Sequence, residues 1–389
     1  MNKGRVINFE WMRDYNHWSA EDFNVLRTKL INKEIDQAAA DGCNIIVGIY
    51  LLDGFLHPKA GLADFLQHIS DIKDHATSKG IEQMYIVSGQ GETIEGLPVP
   101  FFFFDYNVRM IYNSYKNTQH PYYNPDNNKF LFLTGMPNRE NRIGLMSKFY
   151  DAGMLDKAEW TFFPPWTELD KEWCRNCLSH YTDEQYNKFL IDCKRSFDGR
   201  FETAKDFYGS YNQDTDIVWH DVIDTDWVKA PAHIDTSVFT NTLFSIVSEG
   251  PNYWDDDNAF ATEKSWRCFY LKHPFIFAGH PDQFQYLKDL GYRTFEKYLP
   301  IPDYHKLPNE NDRNNAIVEN AKYLLEHREH DDDIRLDTEE NYLQFLKHVV
   351  TQDNLLGKFK DEFNIPKEEL DYYFEGLGYT QLIRRLPND

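Results

Sequence analysis

Residues 245–279 of the chain read SIVSEGPNYWDDDNAFATEKSWRCFYLKHPFIFAG, and this segment gives the clearest indication of the fold. The run Val238–Val247, rich in Val, Ile, Phe and Thr, predicts a strand that ends at Glu249. Thr262–Lys264 predicts the start of an amphipathic helix, because a threonine hydroxyl can cap free backbone N–H groups. The apolar run Pro274–Phe277 predicts a short buried strand. Strand, loop, helix and strand in this order are typical of a parallel α/β sheet.

The same stretch places charged groups where a phosphate can bind. Glu249 follows the first strand, and Glu263 and Lys264 follow the capping Thr262. A helix N-terminus attracts phosphate, since its backbone N–H groups and its dipole both favour negative charge. Two carboxylates can bind ribose or sugar hydroxyls, and the lysine can bind a diphosphate. This set suits a sugar nucleotide, whereas a capping glutamate beside a surface lysine is the structural alternative.

This pattern resembles the donor-binding half of inverting glycosyltransferases with two Rossmann domains, the GT-B fold. It is most similar to the fucosyltransferase type, in which a strand ending near a glutamate is followed by T-E-K, a helix and an apolar strand. It also resembles glycosyltransferase-like proteins of tailed phages, whose TEK–helix–HPFI–G block precedes an L-x-x-L-G-[FY]-x-T-F tail. Here that tail is Tyr286–Phe295 (YLKDLGYRTF), and the resemblance covers Lys129–Phe295.

Strand and helix patterns alternate along the first third of the chain, which predicts a parallel sheet. The expected fold class is α/β, and the resemblance implies two Rossmann-like domains that face a cleft, with C-terminal helices. Residues 1–128 would be the acceptor-side domain and residues 129–300 the donor-binding domain. Residues 301–389 read as helices, and the resemblance implies that this segment crosses back to the first domain.

Composition limits the classes of protein and partner. The 389 residues are 41% apolar and carry a formal net charge of −22, so we expect an ordered protein that repels nucleic acid and anionic membranes. Five cysteines, an odd number, fit reduced thiols in a cytoplasm. The N-terminus lacks an apolar signal region, and no run is long enough to span a membrane. We therefore expect a cytoplasmic protein, in the host cytoplasm if it is phage-encoded.

A second candidate phosphate position lies in the sequence FLFLTGMPNRENRIGLM, residues 130–146. Here a predicted strand passes into a predicted helix, and Arg139 and Arg142 lie at the junction. Guanidinium groups beside a helix start bind phosphate well. The phage-type relatives show a similar N-R-x-x-R at the start of their donor domain. Solvation of the helix or pairing with Glu140 is the structural alternative.

Inverting transfer needs a general base that deprotonates the acceptor hydroxyl. The first candidate is Asp53, with His57 nearby in the sequence. Asp53 follows the apolar run Ile45–Leu52, which predicts a buried strand, so it is expected at the carboxyl edge of the first sheet. Glu92 and Asp105 are the second and third candidates. Each of these residues is also an ordinary turn residue.

A metal site is the rival prediction. Three Asp-x-Asp motifs, at 214–216, 224–226 and 255–257, match the Mn²⁺ signature of the other glycosyltransferase fold, but a chain with 63 acidic residues produces such matches by chance. Cys174, Cys177 and Cys193 with His180 lack the spacing of a zinc site. We expect no metal and no cofactor besides a UDP- or GDP-linked sugar.

The resemblance thus implies a glycosyltransferase that moves a sugar from a nucleotide sugar to a hydroxyl of a glycan or protein. Hydroxymethylated bases of phage DNA are an alternative acceptor, although the net charge of −22 favours the first class. A binding or structural protein that keeps the fold without turnover is the second alternative.

Overall fold

The computed structural model describes residues 2–9, 20–49, 62–89, 95–118, 123–134, 140–162, 168–193, 236–249 and 261–374. Within these ranges the chain forms two four-stranded parallel sheets and twelve α-helices. The α/β class predicted from the alternating pattern is therefore confirmed. None of the described helices is long and apolar enough to cross a membrane.

The chain divides into two compact units. Among the described residues, the first unit takes those of 2–113 and 347–374, and the second takes those of 114–249 and 261–346. These limits differ from the sequence-based boundaries at 128 and 300.

The first unit contains a sheet of strand order β1-β2-β3-β4, in which all neighbours are parallel. Strand β2 is buried along its whole length, as its continuous apolar run predicts. The elements are β1 (Gly4–Asn8), α1 (Ala20–Ala40), β2 (Ile45–Ile49), α2 (Leu62–Ser78), β3 (Gln83–Ser88), β4 (Phe101–Phe103) and α3 (Tyr106–Tyr115).

The second unit contains a sheet of order β6-β5-β7-β8, again with all neighbours parallel. Its strands are β5 (Phe130–Leu133), β6 (Ala158–Thr161), β7 (Ser245–Ser248) and β8 (Phe275–Ala278). The helices of this region are α4 (Glu140–Asp151), α5 (Glu168–Cys177), α6 (Asp183–Asp192), α7 (Ser237–Thr240), α8 (Glu263–Tyr270), α9 (Gln283–Asp289) and α10 (Glu310–Glu326).

Two further helices follow, α11 (Asp331–Asp361) and α12 (Lys367–Phe374). The end of the chain belongs to the first unit, because its aromatic and aliphatic side chains enter the core on one face of the first sheet. Phe359, Phe363 and Ile365 pack there with Val6 and Val47. Strands β1 and β2 are therefore covered on this face by side chains that lie more than 300 positions away in the sequence.

One predicted strand is wrong in its first half. The run Val238–Val247 contains the helical turn α7 followed by the shorter strand β7. The threonine hydroxyls explain the turn, since Thr240 Oγ1 donates to the Thr236 carbonyl at 3.1 Å and Thr242 Oγ1 to the Val238 carbonyl at 2.7 Å. Strand-forming residue types alone did not reveal these local hydrogen bonds.

Candidate functional site

The order of strands in the second sheet predicts a ligand-binding crevice at one end of the sheet. The chain leaves β5 towards β6 on one side, and later leaves β7 towards β8 on the other side. In open parallel sheets, ligands bind outside the carboxyl ends of the two strands where this direction reverses. The reversal here lies between β5 and β7. We call the end of this sheet at which Leu133, Thr161, Ser248 and Ala278 lie the carboxyl edge.

Helices α4 and α8 approach this crevice from opposite faces of the sheet. The rings of Phe130 and Phe132 in β5 lie 5.1 and 5.2 Å from that of Phe149 in α4. Leu131, between these two residues, lies on the other face of the sheet, because side chains alternate along a strand. It pairs with Ser245 of β7, so Ser245 lies on that face too. Ser245 contacts Cys268 of α8. The N-termini of the two helices therefore flank the carboxyl edge from both faces.

Glu249 lies directly after β7, and its buried carboxylate binds the start of α8. It accepts hydrogen bonds from the backbone N–H groups of Thr262 at 3.1 Å and Ser265 at 3.3 Å. The hydroxyls of the same two residues also donate to it, Ser265 Oγ at 2.5 Å. A carboxylate is stabilised at this position by the helix dipole. Glu249 thus occupies N–H groups that a phosphate would need, and its predicted contact with a sugar hydroxyl stays a prediction.

Thr262 is the N-cap of α8, as the sequence predicted. Its backbone is extended, and its hydroxyl accepts a hydrogen bond from the Lys264 N–H at 3.4 Å. Together with the Glu249 carboxylate, this cap fixes the direction in which α8 leaves the carboxyl edge.

Glu263 and Lys264 form an ion pair at the first turn of α8. Lys264 Nζ lies 2.8 Å from Glu263 Oε1 and 3.2 Å from Thr262 Oγ1. Burial by itself raises the pKa of Glu263, but Lys264 and Arg267 outweigh it and lower the pKa to about 2. Glu263 is therefore ionised at neutral pH, and an anion that binds Lys264 must compete with this carboxylate or share the ammonium with it.

Arg142 lies in the first turn of α4 and is buried, and its predicted role at a phosphate position stays a prediction. The sequence analysis did not find another buried arginine, Arg313, near the start of α10. The two helices pack together near these arginines. A Cβ atom at Gly144 would lie 3.2 Å from both Asn314 Nδ2 and Glu310 Oε1. The turn of α4 that carries Arg142 and the turn of α10 that carries Arg313 are therefore neighbours on the α4 face of the sheet.

Helix α10 begins near the carboxyl edge and runs towards the opposite edge. Its last turn, with Leu324, and the following His327 line a small cavity. Leu243 and Pro274, which precede β7 and β8, line the same cavity. The first turns of α10 therefore lie towards the carboxyl edge, and Arg313 is a candidate site residue.

A sequence signal for Arg313 did exist. It lies on the buried stripe of α10 with Ala316, Ile317, Asn320, Ala321 and Leu324. An arginine at a position that the 3.6-residue period assigns to the core is unusual, because a buried charge is costly unless it is compensated. The prediction of helices in residues 301–389 did not consider this arginine.

Polar side chains also close the ends of β7 and β8. Ser248 is buried, and its hydroxyl has no hydrogen-bond partner among the residues that the structure describes. Side chains alternate along a strand, so Ser248 lies on the face opposite to Glu249, which is the face of α4. After β8, Gly279 is enclosed so tightly that a Cβ atom would lie 2.2 Å from Gln283 Oε1. Ser248 and Gln283 are further polar groups at the carboxyl edge that the sequence analysis missed.

Several predicted site residues lie outside the described residues. They are Asp53, His57, Glu92, Arg139 and the three Asp-x-Asp motifs. The third candidate base, Asp105, is described. It is buried, and its Oδ1 accepts a hydrogen bond from the Val108 N–H at 3.2 Å, so it caps the start of α3.

The described cysteines are mostly buried. Burial raises the pKa of the Cys193 thiol well above its usual value, and burial raises that of Cys268 to about 12. Within the described ranges, no three side chains of His, Cys, Asp or Glu come together in a group that could hold a metal ion.

Comparisons with known proteins give no match to a family model, to a curated protein or to a solved structure. The assignment of a function therefore depends on the geometry of the carboxyl edge and on the resemblance given by the sequence.

Proposed function

We propose that this protein is a glycosyltransferase whose second unit binds a UDP- or GDP-linked sugar at the carboxyl edge. The observation that carries the proposal is the strand reversal between β5 and β7, with Arg142 on α4 and Lys264 on α8 at its two sides. Crevices of this kind bind nucleotides in open parallel sheets. The acceptor would be a hydroxyl of a glycan or protein, since a net charge of −22 opposes DNA.

The diphosphate would bind nearer to α4 than to α8. Glu249 and Thr262 already use N–H groups at the start of α8, and a second anion there would be repelled by the Glu249 carboxylate. The start of α4 carries the buried Arg142, and Arg313 of the neighbouring α10 adds a second guanidinium to this side. Lys264 would contact the diphosphate from the opposite face.

These cations would also stabilise the leaving group of the transfer reaction. In a direct displacement, the acceptor oxygen bonds to the anomeric carbon while the bond from that carbon to the diphosphate oxygen breaks. Negative charge then grows on the leaving diphosphate, and Arg142, Lys264 and the predicted Arg139 would offset it. The acceptor proton would pass to a base, for which Asp53, with His57 near it, is the candidate.

The proposal also includes the GT-B fold, with two Rossmann-like domains. Two parallel α/β units in one chain, the first completed by the C-terminal helices, agree with the GT-B fold that the resemblance implies. The second unit would then be the donor-binding Rossmann-like domain.

A thermal-shift panel tests the proposal. It would contain UDP, GDP, CMP and ADP with their sugars, with and without Mn²⁺. A ligand at 100 times its Kd stabilises a protein by about 2.7 kcal/mol, so stabilisation by one nucleotide class is the expected result. Lys264→Ala should reduce the shift, whereas Lys297→Ala, which removes a lysine bound to Asp337 instead, should keep it. No shift with any ligand would contradict the proposal and favour a non-catalytic binding or structural protein.

A further inference from the structure

The long helix α11 presents a regular apolar stripe to solvent. Leu336, Leu343 and Val350 are 54%, 55% and 56% exposed, and each follows the previous one by seven residues. Single exposed leucines are normal on protein surfaces. Three at a constant spacing of seven occupy one position of a heptad repeat, and paired helices use apolar residues at two such positions.

This stripe is separate from the face of α11 that enters the core. The core-facing residues are Ile334, Phe345, Val349 and Phe359, all of which are buried. A helix that only covers a core needs one apolar face. The exposed stripe of α11 therefore lies outside the core that this helix covers.

Charged residues beside the stripe indicate the occupant and its direction. Glu340 lies between Leu336 and Leu343, and Lys347 lies between Leu343 and Val350. If two copies of α11 pair in antiparallel fashion about a two-fold axis at Leu343, Leu336 of one copy meets Val350 of the other. The same arrangement brings Glu340 of each copy beside Lys347 of the other. A parallel arrangement would instead place each of these charges beside its like.

Antiparallel pairing about Leu343 also aligns the dipoles of the two helices favourably. Glu340 is held by Arg293, whose Nε lies 2.8 Å from its Oε2, so its carboxylate is oriented on the surface.

We propose that two copies of this chain form a two-fold dimer through antiparallel pairing of α11. The contact is self-complementary, as a two-fold interface requires, because the same residues contribute on both sides. This inference is independent of the nucleotide-sugar proposal.

Cysteine cross-linking tests both the contact and its direction. The parent would carry Cys177→Ser, which removes the one cysteine that is not fully buried. Leu343→Cys should then form a disulfide-linked dimer with itself. Leu336→Cys and Val350→Cys should cross-link when mixed, but neither should do so alone. Ile191→Cys, at an apolar residue of α6 that is 74% exposed, is the matched control and should stay monomeric on a denaturing gel.

Sedimentation velocity supplies the second readout. The wild type should sediment with twice the mass of one chain, and Leu343→Lys should sediment as a monomer with an unchanged circular dichroism spectrum. Ile191→Lys should remain a dimer. Glu340→Lys should weaken the dimer, and the exchange Glu340→Lys with Lys347→Glu should restore it. A wild type that is monomeric at all concentrations, or cross-linking of Leu336→Cys with itself, would overturn the proposal.

Discussion

At the residue scale, Glu249 is the group on which the geometry of the carboxyl edge depends. Its carboxylate accepts hydrogen bonds from the backbone and hydroxyl donors of Thr262 and Ser265 and so links the end of β7 to the start of α8. The sequence marked Glu249 as a ligand contact. The structure shows that Glu249 also holds the start of α8. This contact could not be predicted from the sequence, because Glu249 and Thr262 are 13 residues apart.

Substitution of Glu249 by Gln should therefore destabilise the protein. Gln keeps the size but removes the charge, and it turns an amide N–H₂ towards groups that are themselves donors. Hydrogen bonds to charged groups contribute about 1.5–3 kcal/mol, so we expect a loss of about 2 kcal/mol in the free energy of unfolding measured with urea. Glu319→Gln, at an exposed position of α10, should change it by less than about 0.5 kcal/mol. Equal effects of the two substitutions would show that the cap contributes nothing.

A second prediction at this scale concerns His273, which precedes β8 and is buried against Phe239. Burial lowers its pKa to about 3, so the folded protein holds it neutral while the unfolded chain protonates it below pH 6.5. Its stabilising contribution is complete above pH 6.5 and is lost as the pH falls towards 3. From pH 6.5 to 5 the loss should approach about 1.4 kcal/mol per pH unit.

Urea unfolding at pH 7 and pH 5 measures this effect. The His273→Phe variant should lose less stability between the two pH values than the wild type. The ionised Glu263, whose pKa is about 2, affects stability only as the pH falls below about 4.5, so the chosen window separates the two groups. The same pH dependence in the variant and the wild type would contradict the assignment.

At the scale of elements, the sequence predicted those with strong local signals. The buried strand β2 could be predicted from its continuous apolar run, and helix α2 from the helical spacing of its apolar residues. The turn α7 was not readable, since its threonine hydrogen bonds compete with strand propensity. Arg313 was missed because the neighbourhood of α10 and α4 depends on contacts between segments 170 residues apart, which no local pattern records.

The tight end of β8 gives a prediction at this scale. Gly279→Ala should destabilise the protein by about 1–3 kcal/mol, because the added Cβ would lie 2.2 Å from Gln283 Oε1 and 2.3 Å from the Phe277 ring. Gly357→Ala is the matched control within α11. Nothing lies within 4 Å of the Cβ that it adds, so it should stabilise the helix by about 0.5–1 kcal/mol. Thermal unfolding of both variants checks the opposite signs, and a neutral Gly279→Ala would contradict the close packing.

At the scale of the whole molecule, the end of the chain completes its beginning. Residues of α11 and α12 supply one side of the core on the first sheet, so we expect the first unit to depend on residues 347–374 for its stability. The sequence showed helices here, and the resemblance alone implied that they return to the first domain.

The fully buried Phe359 tests this dependence. Phe359→Ala should destabilise the first unit by about 3–5 kcal/mol, whereas the neighbouring Lys360→Ala, at an exposed position, should have almost no effect. Hydrogen exchange followed by mass spectrometry would locate the loss. Protection should fall in β1 and β2, and a loss confined to α11 and α12 would contradict a shared core.

The claim that most needs a test is that the carboxyl edge of the second sheet binds a nucleotide diphosphate. The direct measurement is calorimetric titration of the stabilising nucleoside as its diphosphate and as its monophosphate, with the wild type and with Arg142→Lys. The wild type should bind the diphosphate at least about tenfold more tightly, a difference of about 1.4 kcal/mol, and Arg142→Lys should lose most of this preference. Equal affinity for the two nucleotides, or the same preference in the variant, would contradict the claim.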